Sequence, residues 1–162
     1  MWTSGDFLSR AEAYCQNQGL RLEKHLGFGV QGQVYSTDRK TAIKVHEREI
    51  AYQRERNAYL RLREHGIRDI LGFAVPELIA HDDDLLILEM TIVAPPFVLD
   101  FGGAYLDGKP DFPAETLTEW EAEKRDQFEE DWPAARQVIR ALEKYGIYLF
   151  DVNPGNIRFR NA

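Results

Sequence analysis

Cysteine and long apolar runs are nearly missing from this sequence, and both absences narrow what the protein can be. Cys15 is the single cysteine among 162 residues, which excludes an internal disulfide framework. The longest apolar run, at residues 85–90, is interrupted by Glu89 and is far shorter than the roughly 20 residues that cross a bilayer. The sequence also shows no secretory signal pattern. We therefore expect a soluble, cytoplasmic protein without a membrane partner.

An excess of positive charge is also missing. The formal net charge of -7 argues against general affinity for nucleic acids, whose phosphates select basic surfaces. The charges are uneven, since residues 39–68 are mainly basic and residues 107–131 strongly acidic. A chain of this length, 44% hydrophobic, can bury one substantial core or two small lobes that share an interface. We expect one compact unit that does not bind nucleic acid.

The order of apolar patterns and turn residues predicts a mixed α+β chain. The expected elements are a helix at residues 7–19, three antiparallel strands within residues 20–47, a helix at residues 47–65, two strands around residues 82–84, one short strand at residues 97–101, and helical structure over residues 115–144. Pro133 either kinks this last helix or begins a second one.

A glycine-rich stretch, GFGVQG, places Gly27, Gly29 and Gly32 in the pattern GxGxxG. In dinucleotide-binding folds the third glycine opens a helix that receives pyrophosphate, but here it opens the predicted strand QVYS. Glycines in a hairpin allow backbone amides to approach nucleotide phosphates closely, because no side chains intervene. The stretch therefore indicates either a hairpin that covers phosphates or an ordinary hairpin that contains glycine.

Lys44 lies in the middle of the apolar strand TAIKV, where an unpaired ammonium group is costly. On the following helix, the spacing i, i+3, i+4 places Glu55 within the apolar stripe. We expect Lys44 and Glu55 to form an ion pair, with Glu49 as the weaker candidate. Alternatively, Glu55 pairs with Arg56 or Arg48 on the helix surface.

The sequence DVNPGN places Asp151 and Asn156 five residues apart, around a turn shaped by Pro154 and Gly155. An aspartate can orient and deprotonate an incoming hydroxyl group, and an asparagine oxygen can bind magnesium without adding charge. Alternatively, the loop has only a structural role, as an Asx-turn in a C-terminal hairpin. The pattern favours a loop that faces a phosphate-bearing ligand.

Taken in chain order, the glycine hairpin, the lysine, the glutamate and the closing loop resemble the protein kinase-like superfamily over about residues 22–159. DVNPGN is most similar to the D-x-x-P-x-N loop of its small-molecule phosphotransferases. The resemblance implies a minimal kinase-like α+β fold, with an antiparallel five-stranded N-terminal lobe and one helix at residues 21–93. It also implies a reduced helical C-terminal lobe at residues 94–162, with residues 1–20 as a helical adjunct.

The resemblance implies ATP and magnesium as ligands. Lys44 would position the phosphates and Glu55 would hold Lys44, while Asp151 would act on a hydroxyl acceptor and Asn156 would bind the metal. Backbone groups of Glu89 and Thr91 would bond the adenine edge. The implied nucleotide-binding residues are Gly27, Gly29, Gly32, Val34, Ala42, Lys44, Glu89 and Thr91.

The position of Asp-Phe-Gly departs from the family. Members carry this tripeptide after the catalytic loop, whereas here only residues 157–162 follow Asn156 and VLDFGGAY stands earlier, at residues 98–105. Asp100 either reaches the metal site from this earlier point or caps a turn, since metal binding depends on spatial position rather than chain order.

The resemblance implies a phosphotransferase that moves the terminal phosphoryl group of ATP to a hydroxyl acceptor. The alternatives are a pseudokinase-like interaction module that binds a protein partner with weak or no catalysis, and a fold completed by a second chain, which would need an exposed apolar patch near the chain's end.

The four histidines lack metal-ligand spacing, and Tyr105, Trp120 and Trp132 are expected to pack in the core and between the lobes.

Overall fold

The computed structural model describes residues 4–29 and 32–160 of the chain. The helices in these residues are α1 (Ser4–Gln18), α2 (Glu49–Glu64), α3 (Ala114–Phe128) and α4 (Trp132–Glu143), with a short 3-10 turn at Glu129–Asp131. The strands are β1 (Leu22–Gly29), β2 (Gly32–Thr37), β3 (Thr41–His46), β4 (Asp69–Ile70), β5 (Phe73–Ala74), β6 (Leu78–Asp82), β7 (Ile87–Thr91), β8 (Phe97–Val98), β9 (Tyr105–Leu106), β10 (Ile147–Tyr148) and β11 (Ile157–Arg158). No helix in the described part is long and apolar enough to cross a membrane.

A five-stranded antiparallel sheet occupies the N-terminal part of the described residues, in the order β1-β2-β3-β7-β6. Two smaller sheets follow, one of β9 with β10 and one in the order β11-β8-β5-β4, where β5 and β8 are parallel. The β8–β11 pair places the residues just before Asp100 beside those just after Asn156.

The central strand β3 sends alternate side chains to the two faces of the large sheet, as the pleat of a strand requires. Ile43 and Val45 join the core beneath α1, which contributes Phe7, Ala11, Tyr14 and Cys15. Ala42 belongs instead to the larger core on the other face, which is shared with α2 and α4. Lys44 has the same parity as Ala42 and therefore faces α2.

The helical region is divided at the 3-10 turn, and α4 begins at Trp132 with Pro133 in its first turn. Of the two possibilities for Pro133, the structure has the second, the start of a new helix. This position suits proline because amides of a first helical turn have no partner within the helix. The α4 face formed by Val138, Ile139 and Leu142 is buried in the larger core.

The predicted α+β class is confirmed: an antiparallel five-stranded N-terminal sheet is followed by a helical part. The short strand expected at residues 97–101 is β8, which ends at Val98. It is shorter than expected because Asp100 has a φ of 72°, a left-handed conformation that cannot continue a strand.

Candidate functional site

An ion pair between β3 and α2 lies at the centre of the site. Lys44 Nζ is 2.8 Å from Glu55 Oε1, and the two side chains are 11% and 1% exposed. Glu49 is exposed and accepts a hydrogen bond from Gln53 instead. The structure therefore brings together Lys44 and Glu55, which were both predicted to face inward, and leaves Glu49 outside the cluster.

Burial opposes both charges of this pair, but the attraction between them outweighs it. Burial alone would raise the pKa of Glu55, whereas Lys44 and His46 lower it, and the net effect brings the pKa from 4.5 to about 2. Burial would likewise lower the pKa of Lys44, but Glu55 and Asp100 raise it above its ordinary value. Both groups are therefore charged at neutral pH.

His46 belongs to this cluster, although the sequence analysis gave it no chemical role. Its buried ring places Nε2 2.7 Å from Glu55 Oε1 and Nδ1 3.2 Å from the carbonyl oxygen of Leu86. A carboxylate oxygen only accepts hydrogen bonds, so the contact with Glu55 assigns a hydrogen to Nε2. Side chains alternate along β3, so the sequence pattern places His46 on the same face as Lys44, toward α2. That alternation could have predicted its place in the cluster.

The turn that follows β8 completes the cluster. The Phe101 amide donates a hydrogen bond of 2.6 Å to Glu55 Oε2, and Asp100 Oδ1 lies 3.3 Å from Lys44 Nζ. The Phe101 ring is fully buried and packs edge-on against Tyr59. The left-handed backbone at Asp100 thus directs its carboxylate to Lys44 and the next amide to Glu55.

Asn156 joins Asp100 through the pairing of β8 with β11. The Leu99 amide donates to the Asn156 carbonyl oxygen at 2.9 Å, and Asn156 Nδ2 donates to Asp100 Oδ2 at 3.1 Å. The Asn156 side-chain oxygen accepts the Asn153 amide at 3.0 Å, which closes the loop. Asp100 therefore lies between Lys44 and Asn156, with one oxygen toward each.

The glycine hairpin is formed by β1 and β2, in which Gly29 pairs with Gly32 and Gly27 lies further along β1. The tip, residues 30 and 31, lies outside the described residues. A Cβ atom at Gly32 would lie 2.2 Å from the Val45 carbonyl oxygen, so only glycine fits where β2 crosses so close to β3. The requirement for glycine at this position is therefore structural, and binding of phosphates by the hairpin stays a prediction.

The residues expected around adenine lie on β2, β3 and β7. Val34 is half-buried and Ala42 is buried, and both contact the larger core. The Glu89 carboxylate accepts the Tyr14 hydroxyl of α1 at 2.8 Å, and the Thr91 amide donates to a carbonyl just before β6 at 3.0 Å. Adenine binding by the backbone of Glu89 and Thr91 stays a prediction, and the Thr91 amide already has a partner.

Asp151 is exposed, and helix α3 holds the loop on both sides of it. Trp120 Nε1 donates to the Phe150 carbonyl oxygen at 2.7 Å, and Lys124 Nζ donates to the Val152 carbonyl oxygen at 2.6 Å. Both contacts are to the backbone, so the loop position does not depend on the side chain of Asp151. That carboxylate is free to face a ligand.

A cavity of about 520 Å³ opens beside Asp151. Its walls are the N-terminal part of α2 and, across from it, α3 with Phe150, while Gly103 lies close to the Asp151 side chain. Tyr105 and Trp120, which were expected to pack in the core and between the lobes, are half-buried and line this cavity, whereas Trp132 is buried. The volume lies in the range of small-molecule sites.

Comparisons with known proteins add little to this geometry. No model of a known protein family and no curated protein matches the sequence. Among solved structures, the chain is similar to APH(2")-IIa in its ternary complex with streptomycin and ATP, at 14% identity and a TM-score of 0.42 over 82% of this chain. The match covers 38% of that chain, so this protein spans well under half its length. Similarity of this size assigns neither a family nor an activity.

Proposed function

We propose that the chain binds ATP and Mg²⁺ and transfers the terminal phosphoryl group to a hydroxyl acceptor. One observation carries the proposal: Glu55, Lys44, Asp100 and Asn156 form a continuous chain of contacts of 3.3 Å or less. These residues come from four separate segments of the sequence. They converge beside the loop that also bears Asp151.

Lys44 supplies the positive charge that nucleotide phosphates require. Its ammonium group has three hydrogens, of which Glu55 and Asp100 accept two, so one remains for a phosphate oxygen. Glu55 is in turn held by His46 and by the Phe101 amide. This support lets Lys44 meet the phosphates without rearrangement, which favours electrostatic stabilisation.

Asp100 and Asn156 are the residues that would hold Mg²⁺ together with a nucleotide. The Asn156 amide turns its nitrogen toward Asp100, so its oxygen would bind the metal only after the amide rotates. The described residues hold no group of three or more His, Cys, Asp or Glu that could bind a metal ion alone. Mg²⁺ usually takes one or two protein oxygens and completes its shell with phosphate and water. Bound there, it would neutralise phosphate charge. We therefore expect Mg²⁺ to bind only together with the nucleotide.

Asp151 is proposed to receive the proton of the acceptor hydroxyl. The hydroxyl oxygen forms a bond to the terminal phosphorus, the bond from that phosphorus to the bridging oxygen of ADP breaks, and ADP leaves. Asp151 is exposed at the cavity while its neighbours are held by α3, which supports a base that is both accessible and fixed in position.

A pseudokinase-like interaction module is the second candidate, and one contact favours it. The Asn156 side-chain oxygen accepts the Asn153 amide, so its lone pairs are not wholly available to a metal ion. A fold completed by a second chain would need an exposed apolar patch near the chain's end. It has less support, because no exposed large apolar side chain in the described part of the chain follows Leu117.

The proposal is tested by thermal denaturation with ATP, in the presence and absence of Mg²⁺. ATP with Mg²⁺ should raise the melting temperature of the wild type and of Asp151→Asn, because a ligand that binds only the native state stabilises it. Lys44→Met should lose this shift. Lys40→Met, at an exposed lysine in the turn before β3, is the matched control and should keep it.

Transfer of radiolabel from the terminal phosphate then separates an enzyme from a binder. The wild type should transfer label or release ADP, and Asp151→Asn should not. Stabilisation by ATP without any transfer would favour the interaction module. No stabilisation of the wild type at millimolar ATP would contradict nucleotide binding altogether.

A further inference from the structure

The cavity beside Asp151 is lined by three cations that lack carboxylate partners. Arg48 just before α2, Arg54 of α2 and Lys124 of α3 line it, and within residues 4–29 and 32–160 no carboxylate forms an ion pair with any of them. The acids of the lining are Glu123, which accepts a hydrogen bond from a glutamine, and Asp151 itself. The cations therefore outnumber the acids.

Lys124 is the most informative of the three because it is buried, with 6% of its surface exposed. Its ammonium group donates to the Val152 carbonyl at 2.6 Å and to Gln127 Oε1 at 3.2 Å, and both acceptors are neutral. One of its three hydrogens is left over. A buried cation without an anion is costly, so an anion in the cavity would offset a cost that the protein itself leaves uncompensated.

The opposite wall adds positive charge through α2. The Arg54 guanidinium lies 4.9 Å from the centre of the Tyr105 ring, a stacking contact that keeps its planar donors at the wall. No side chain caps the N-terminus of α2 at Arg48, so the amides of the first turn, where Ile50 and Ala51 line the cavity, keep their partial positive charge. Both walls therefore favour a negatively charged ligand.

Aromatic rings form the remaining surface. Tyr105, Phe112 and Trp120 each pack edge-on against Phe150, and all four side chains line the cavity. A ring-shaped ligand can stack on such a surface, which offers flat apolar area at little conformational cost. The cavity therefore combines an anion site, an apolar wall and the Asp151 carboxylate.

We propose that the acceptor is a small molecule that carries a hydroxyl group, a ring and an anionic group, either a carboxylate or a phosphate. Arg48, Arg54 and Lys124 bind the anion, the aromatic wall holds the ring, and the hydroxyl then faces Asp151. The role of this ligand as acceptor rests on the proposed phosphotransferase function. The anion site does not depend on that function, so anion binding and phosphoryl transfer are tested separately.

The test measures binding of four matched benzene derivatives by quenching of tryptophan fluorescence and by thermal shift: benzoate, phenyl phosphate, benzyl alcohol and benzylamine. Lys44→Met is the background, so that anions cannot collect at the phosphate position of the nucleotide site. If that variant does not fold, wild type saturated with ADP and Mg²⁺ replaces it. Saturable binding of the two anions, and not of the alcohol or the amine, is expected. The tighter anion identifies the group as carboxylate or phosphate.

The double substitution Arg48→Gln, Arg54→Gln should weaken anion binding at least about tenfold, since each arginine supplies charge-assisted hydrogen bonds. Arg125→Gln, at an exposed arginine of α3 outside the cavity, should leave it unchanged. Absence of saturable anion binding, equal binding of benzylamine, or affinity unaffected by the double substitution overturns the proposal. If the anions bind as expected but ATP does not stabilise the wild type, the phosphotransferase function fails and the anion site remains.

Discussion

Lys44 lies in a cluster whose charged side chains bind one another, whereas Asp151 lies on an exposed loop that α3 holds only through backbone carbonyls. Lys44 and Glu55 are buried away from water, so each charge needs a protein partner and the two side chains are held in one position. The loop that bears Asp151 is held through its backbone, so its position does not depend on the Asp151 carboxylate. Substitutions on the phosphate side of the proposed site should therefore lower the stability, whereas substitution of Asp151 should affect the chemistry alone.

The largest effect is expected for Glu55→Ala. This substitution removes the carboxylate that binds Lys44 and His46 and accepts the Phe101 amide. Removing one partner of a buried ion pair usually costs about 3–5 kcal/mol, and the free energy of unfolding in urea should fall by that amount. Glu64→Gln, at an exposed glutamate near the end of α2, should change it by less than about 0.5 kcal/mol. A loss as small as the control's would contradict the buried cluster.

Acid should remove the same contribution from the wild type. The pKa of Glu55 is lowered on folding from 4.5 to about 2, so its contribution is complete above pH 4.5 and is lost as the pH falls toward 2. The shift corresponds to about 3 kcal/mol. Urea unfolding at several pH values should show the stability difference between wild type and Glu55→Gln shrinking over this window. A difference that stays constant with pH would show that Glu55 does not titrate as the ion pair requires.

Lys124→Met should have an intermediate effect. The substitution removes the hydrogen bond to the Val152 carbonyl, but it also removes the cost of a buried, unpaired cation. A net loss of about 1–2 kcal/mol in the free energy of unfolding is expected. Arg125→Met, at the neighbouring exposed position, is the control. A loss equal to that of Glu55→Ala would mean that the Asp151 loop depends on buried charge as strongly as the Lys44 cluster does.

Asp151→Asn should have the smallest effect on stability and a large effect on chemistry. The side chain is exposed and the loop is held through the neighbours of Asp151, so the free energy of unfolding should change by less than about 0.5 kcal/mol. Loss of the proposed base should slow phosphoryl transfer at least about 100-fold. Asp126→Asn, at an exposed aspartate of α3, should retain the transfer rate. Unchanged transfer in Asp151→Asn would remove Asp151 from the mechanism.

Local periodicity was enough to predict part of the site. The two-residue repeat of β3 and the helical repeat of α2 placed Lys44 and Glu55 on facing surfaces, and the structure joins them at 2.8 Å. The same repeat places His46 on the inward face, a signal that the sequence analysis did not use, because metal-ligand spacing does not detect a histidine whose partners are a glutamate and a carbonyl.

Asp100 could not be assigned in this way. Two positions for it were open, because its distance from Asn156 depends on the pairing of β8 with β11. These strands have two residues each, and they pair Val98 with Ile157 and Phe97 with Arg158, residues that are 59 and 61 positions apart in the sequence. Strands this short leave no alternating pattern to read. The cavity and its unpaired cations were equally hidden, since its walls come from α2, α3 and the segment after Asp100.

The amino-acid sequence alone determined the helices, the strands of the large sheet and the inward-facing charges of β3 and α2, because side-chain direction follows the local geometry of a strand or helix, whereas the two-residue strands β4, β5, β9, β10 and β11 were not predicted. Only the tertiary structure decided which distant residues meet those charges. Asp100, Asn156 and the Phe101 amide reach the cluster through short strand pairs and one left-handed turn, and their positions depend on packing between segments that no local repeat connects.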